Sequence, residues 1–161
     1  MIRSDLIKQV LEKARQHSWK LAAAESCSGG LVSAALTELP GSSDIFDRGF
    51  VTYSNAAKHD LLAVPLALIE EHGAVSQAVA ISMADGAIKN SNADCAVSVT
   101  GIAGPDGGST DKPVGMVWFG LSIKGVSTEA YVMQFGALSR SDIRQKSEET
   151  ALNLFLKALD M

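Results

Sequence analysis

Apolar and polar positions alternate along this chain in two periods, and the changes between them mark out the elements. Ile7, Val10, Leu11 and Ala14 recur on one helical face behind Ser4, a good capping residue, so the chain opens on a helix. Trp19 to Ala24 is a short run of mostly small, apolar residues and reads as a strand; the helical pattern resumes from about Gly30 through Leu36. Leu39-Pro40-Gly41-Ser42-Ser43 breaks the chain. Ile45 to Tyr53, rich in aromatic and β-branched residues, reads as a second strand, after which Ser54-Asn55 caps a short helix carrying Lys58. Val79, Met83 and Ala87 place a helix between Ser76 and Lys89.

Beyond it, Cys95, Val97 and Val99 alternate with Ala96 and Ser98, the pattern of a buried central strand. A glycine-rich loop from Gly101 to Pro113 leads to a fourth strand with Val117, Phe119, Leu121 and Ile123 in alternation. Lys124-Gly125 turns the chain into a fifth strand through Tyr131, Met133 and Phe135, and Leu152, Phe155, Leu156 and Leu159 form the stripe of a closing helix. Helices alternating with mostly parallel strands, and a hairpin near the end, predict one three-layer α/β domain over residues 1–161.

Composition narrows the function classes. With 47% hydrophobic and 20% charged residues the chain is an ordinary globular one. A net charge of -4 disfavours a nucleic-acid partner, because phosphate tracking needs clustered cations. The longest apolar run, Leu61 to Ile69, is interrupted by Pro65 and is nine residues long. A bilayer span needs about 20, so no membrane partner is expected. Two cysteines, Cys27 and Cys95, and a start without a signal-peptide core point to the cytoplasm. Nothing in the composition speaks against assembly as a homo-oligomer.

Three polar clusters fall near the ends of predicted strands: Glu25-Ser26-Cys27-Ser28-Gly29-Gly30, Tyr53 to Lys58, and Thr100 to Gly108. Sites in open α/β sheets gather at the carboxyl ends of strands, so the three are expected to converge on one pocket. Neither G-x-G-x-x-G nor a Walker motif is present, which disfavours dinucleotide and ATP sites. His17, His59 and His72 lack ligand-like spacing, and neither a metal nor a cofactor is expected. His72, before Gly73, suits the C-terminus of a helix.

Two nucleophiles compete on the residues alone. Ser26 can use Lys58, the only lysine in the three clusters, whereas Cys27 needs a histidine base and His59 is its candidate. Each motif also has a plain structural reading: a capped helix start, a surface turn, a solvated lysine.

Together the clusters closely resemble the CinA carboxy-terminal domain family, whose single-domain members include nicotinamide mononucleotide amidohydrolases. The resemblance rests on Ala24 to Gly30, Gly49 to Asn55 with Lys58, His72 to Ser76, Ser98 to Gly108 and Lys112 to Trp118. It implies a three-layer α/β/α sandwich around a five-stranded mixed sheet with one antiparallel strand, in a stand-alone form. It further implies hydrolysis of the carboxamide of nicotinamide mononucleotide by a Ser26/Lys58 dyad, with Tyr53 and Thr100 near the reacting group. In that scheme Ser26 attacks the amide carbon while a neutral Lys58 takes its proton. Burial or the pyridinium of the substrate lowers the lysine pKa.

Backbone N–H groups of Ser28, Gly29 and Gly30, or of Gly101 to Gly104, would hold the oxyanion, and Arg140 would contact substrate. One departure is local: Gly136-Ala137-Leu138-Ser139-Arg140 stands where the family tends to carry Gly-Asp-Arg, although Arg140 and Arg144 keep the Arg-x-x-x-Arg spacing. A non-catalytic nucleotide- or partner-binding module is the other function such a domain can serve.

Overall fold

A computed structural model describes residues 1–161. The elements in chain order are α1 (Arg3–His17), β1 (Leu21–Glu25), α2 (Leu31–Leu36), β2 (Phe46–Val51), α3 (Asn55–Leu62), α4 (Leu66–His72), α5 (Gln77–Lys89), β3 (Cys95–Gly101), β4 (Met116–Ile123), β5 (Glu129–Gln134) and α6 (Arg140–Leu159), with a 3-10 turn at Ser42–Asp44 before β2. The strands form one sheet in the order β2-β1-β3-β4-β5. β1 pairs in parallel with β2 and β3, whereas β4 runs antiparallel to both β3 and β5. The fold is therefore the expected three-layer arrangement, with β4 as its one antiparallel strand.

Strand periodicity sorts the core into two layers. Leu21 and Ala23 of β1 and Cys95, Val97 and Val99 of β3 pack with α1, α2 and α6, around Phe119 and Phe155. Ala22, Ala24 and Ala96 face the opposite way, towards Leu62, Ile69, Val79 and Met83 on α3, α4 and α5. The second face is built from small residues, and this brings α5 close to the sheet. A Cβ on Gly120 would stand 2.4 Å from the Ala80 carbonyl, and Ser98 Oγ donates to that same carbonyl at 2.6 Å.

Local boundaries shift from the sequence reading by a residue or two at β1 and β5 and differ in three further places. The cap of α1 is Ile2 rather than Ser4, and it makes no side-chain bond. β2 stops at Val51, and its last expected residues become the lead into α3, where Ser54 Oγ accepts from the Ala57 N–H at 3.0 Å. α4 was expected only at its end, where His72 before Gly73 does close a helix; its start after Pro65 was not expected.

Candidate active site

β1 and β3 lie side by side, but the chain leaves β1 towards β2 on one side and reaches β3 on the other. This reversal opens a crevice at their carboxyl ends, where doubly wound sheets bind ligands. A cavity of about 270 Å³ occupies it, lined among others by Ser26, Tyr53, Lys58, Thr100, Gly104 and Arg140. The three clusters singled out from the sequence thus meet in space. A larger groove of about 710 Å³ lies at Arg3, Leu6, Leu138 and Gln145, and no nucleophile beside a base lines it.

Ser26 is pinned through its backbone. Its N–H donates to Val99 O at 2.9 Å, and the Glu25 carbonyl before it accepts from Thr52 N at 2.8 Å, so the peptide is held from both neighbouring strands. Glu25 itself is fully buried. Its carboxylate accepts from the N–H groups of Gly30, Val32 and Ser33 at 3.2, 2.9 and 3.0 Å and from Ser33 Oγ at 2.7 Å. Those bonds fix the start of α2, a helix of six residues too short to form alone.

Lys58 is 1% exposed. Its Nζ lies 2.9 Å from Ser26 Oγ, 2.9 Å from Thr52 O and 3.2 Å from Tyr53 O, and no carboxylate pairs with it. Burial pushes its pKa below the ordinary 10.5, because an unpaired ammonium loses its hydration there. The two carbonyls can only accept hydrogen bonds. In the neutral amine they take both N–H groups, which leaves the nitrogen lone pair for the Ser26 hydroxyl.

Cys27 also lines the cavity, but burial pushes its thiol up to about 11. His59, the base it would need, hydrogen-bonds through Nδ1 with Val64 O at 3.0 Å and does not line the cavity. The thiolate alternative lacks its base.

The remaining expected residues divide. Thr100 is buried, with Oγ1 donating to Ala74 O at 2.9 Å. Tyr53 is 63% exposed, and its hydroxyl accepts from Arg140 Nη2 at 3.0 Å while Arg140 Nη1 donates to Gly104 O at 2.8 Å. Gly101 and Gly104 line the cavity, but Ser28, Gly29 and Gly30 do not. The N–H groups of Gly29 and Gly30 are already bonded to Ser26 O and Glu25 Oε1, which removes two of the expected oxyanion donors. Ser28 is fully buried, and its hydroxyl has no partner.

Sequence reasoning leaves Glu25 and Arg144 without a role. A carboxylate a few residues ahead of a helix start was the available signal for the first, and the one-turn spacing from Arg140 was the signal for the second.

Fold and cavity together are those of a small-molecule-binding α/β domain, and comparison with known proteins places it. The chain belongs to the CinA C-terminal domain family, whose profile matches residues 3–159. It is 51% identical over 143 residues to the nicotinamide-nucleotide amidohydrolase PncC of Enterobacter agglomerans, covering 86% of this chain and 87% of that protein. It is 46% identical over 155 residues to a CinA-like protein of Syntrophobacter fumaroxidans, covering 96% of this chain and 36% of that protein. The chain thus spans nearly all of the first relative and about a third of the second. Among solved structures, the competence/damage inducible protein CihA of Agrobacterium tumefaciens superposes with a TM-score of 0.95 at 42% identity, over 99% of this chain and 96% of that one.

Proposed function

We propose that this protein hydrolyses the carboxamide of nicotinamide mononucleotide to nicotinate mononucleotide and ammonia, through an acyl-enzyme on Ser26. The observation that carries the reading is the buried, unpaired Lys58 with Nζ 2.9 Å from Ser26 Oγ, at the wall of a cavity. The name and 51% identity of the Enterobacter agglomerans protein support the substrate class.

In the first half-reaction Ser26 Oγ forms a bond to the amide carbon while its proton passes to Lys58 Nζ. The lysine ammonium returns that proton to the departing nitrogen, the C–N bond breaks and ammonia leaves. Water then attacks the ester, again giving its proton to Lys58, and Ser26 recovers the proton as the acid departs. Burial supports the neutral lysine that the first step requires, and a bound pyridinium cation would push its pKa further down.

Arg140 is the cavity's only arginine, and two of its five donors are used, by Gly104 O and the Tyr53 hydroxyl. Its free donors suit the substrate's phosphate.

The test is ammonia release from nicotinamide mononucleotide, nicotinamide and NAD side by side. The mononucleotide is expected to be the preferred substrate and nicotinamide nearly inert, because the ribose phosphate supplies binding energy that the free amide lacks. Equal specific activity on the two would overturn the assignment.

A further inference from the structure

α6 meets the site at two successive turns. Arg140 faces the cavity, whereas Arg144, one turn on, does not line it and reaches the turn that follows Ser26. Its Nε donates to Cys27 O and its Nη2 to Ser28 O, both at 3.1 Å. The helix is held against the core at this level by buried Ile143. Gly29 completes the fit: at φ +58 it turns the chain, and a Cβ there would stand 3.1 Å from Arg144 Nη2. The guanidinium fork is thus spent on two consecutive backbone carbonyls, and no carboxylate is within bonding distance to neutralise it.

A trans peptide points its C=O and N–H in opposite directions. Turning the Cys27 carbonyl onto Arg144 therefore directs the Ser28 N–H away from the guanidinium. Ser28 is fully buried and does not line the cavity, so its N–H meets no ligand; Cys27 does line it, and its N–H has no hydrogen-bond acceptor in the protein, whereas those of Ser26, Gly29 and Gly30 do.

We propose that Arg144 is a positioning residue acting through the backbone. It holds the Ser26–Gly29 turn through the Cys27 and Ser28 carbonyls. The Cys27 N–H, held in place beside Ser26 at the cavity wall, then receives the oxygen that turns negative as Ser26 attacks. The inference rests on the acyl-transfer reading above and selects this turn over Gly101 to Gly104 as the source of the oxyanion donor.

The test compares wild type, Arg144→Ala and Arg144→Lys by two readouts, with circular dichroism to confirm folding. The first is kcat and KM for ammonia release from nicotinamide mononucleotide. The second is the rate at which a fluorophosphonate labels Ser26, followed by intact-protein mass, which needs no nucleotide. Arg144→Ala is expected to lower kcat about ten- to a hundredfold, with KM within about twofold, and to slow labelling by a similar factor. Added guanidinium ion should restore part of both rates.

Arg144→Lys keeps the charge but not the fork, so it should also lose rate; it decides the matter if the alanine variant does not fold. Unchanged labelling, or a raised KM at unchanged kcat, would overturn the inference, the latter by making Arg144 a direct substrate contact. A wild type that labels faster than Arg144→Ala yet leaves the nucleotide untouched sinks the substrate assignment and sustains the role of Arg144. A wild type that neither labels nor turns over sinks both.

Discussion

The turn after β1 and the loop after β3 flank the same cavity, yet they are built in opposite ways. Residues Glu25 to Ser28 are buried, and side chains from inside and outside the turn secure them: Glu25 from within, Lys58 from α3 and Arg144 from α6. Beyond Gly104, every residue from Pro105 to Asp111 is exposed. Ser109 N donates to Lys112 O there at 2.9 Å, while Asp106, Gly107 and Gly108 donate to no protein acceptor through their N–H groups. The β1 side of the wall is immobilised and carries the proposed nucleophile; on the β3 side the stretch from Asp106 to Gly108 has little to hold it in one conformation. Reaction chemistry needs the first kind of wall and admission of a ligand needs the second.

The comparison makes the largest effects fall on the braced side. Ser26→Ala and Lys58→Ala should each lower kcat at least about a thousandfold, and the double variant should be little worse than either, since a base without its nucleophile has nothing to activate. Lys58→Arg should fail as well, because guanidinium stays protonated. Steady-state kinetics on folded variants checks all four, and a Ser26→Ala enzyme that stays active beside a dead Cys27→Ala would transfer the chemistry to sulfur.

On the looser side, Arg140→Ala should raise KM by roughly ten- to a hundredfold, the range for losing a charged hydrogen bond, while kcat changes less. A fall in kcat at constant KM would erase the proposed division of labour. Amides from Asp106 to Gly108 should exchange with solvent faster than those of β1 and β3 by hydrogen-exchange mass spectrometry.

Smaller effects concern stability and the thiol. Lys58 has a lower pKa folded than unfolded, so the unfolded chain binds more protons between the folded value and 10.5. Its protonation therefore weakens the fold at neutral pH, and stability should be regained as pH rises towards 10.5, with no further gain above. Urea unfolding of wild type against Lys58→Met should show the difference moving in favour of wild type as pH rises over that window. Cys27→Ala should keep kcat within about threefold, as expected for a protonated thiol that only packs. EDTA should leave turnover unchanged, since no group of three His, Cys, Asp or Glu side chains gathers at metal-binding spacing.

Most of this architecture is legible in the pattern of side chains, because β3 and β4 alternate cleanly and Ser54, Ser76 and Ser139 mark helix starts with hydroxyls that accept from the following turn. The end of α4 at His72 was legible, but its start escaped because Leu66 lies inside the apolar run interrupted by Pro65 and the helix is only seven residues long. Met133 alternates with Tyr131 and Phe135 as a core strand would, but it lies at the sheet edge and is 40% exposed. The cluster of Ser26, Lys58 and Thr100 could be found because hydroxyls, amines and glycines at strand ends advertise a site. The burial of Lys58 could not, since lysine ordinarily marks solvent and only tertiary packing removes it from water. Arg144 stayed hidden for a related reason: its partners are backbone carbonyls, which have no letter of their own in a sequence.

Glu25 has a consequence for what this crevice can be used for. In dinucleotide-binding folds the first strand-to-helix turn is a receptor for phosphate, because the helix start offers free N–H groups to an anion. Here the protein fills that receptor with an anion of its own. Gly30, Val32 and Ser33 give their N–H groups to the Glu25 carboxylate, and Leu31 gives its own to Ser28 O. A nucleotide entering the crevice meets no vacant donor at this helix start and must carry its phosphate elsewhere. The place where dinucleotide-binding folds dock a cofactor's charge serves here as a mount for the proposed nucleophile, with its counter-charge supplied from inside the fold.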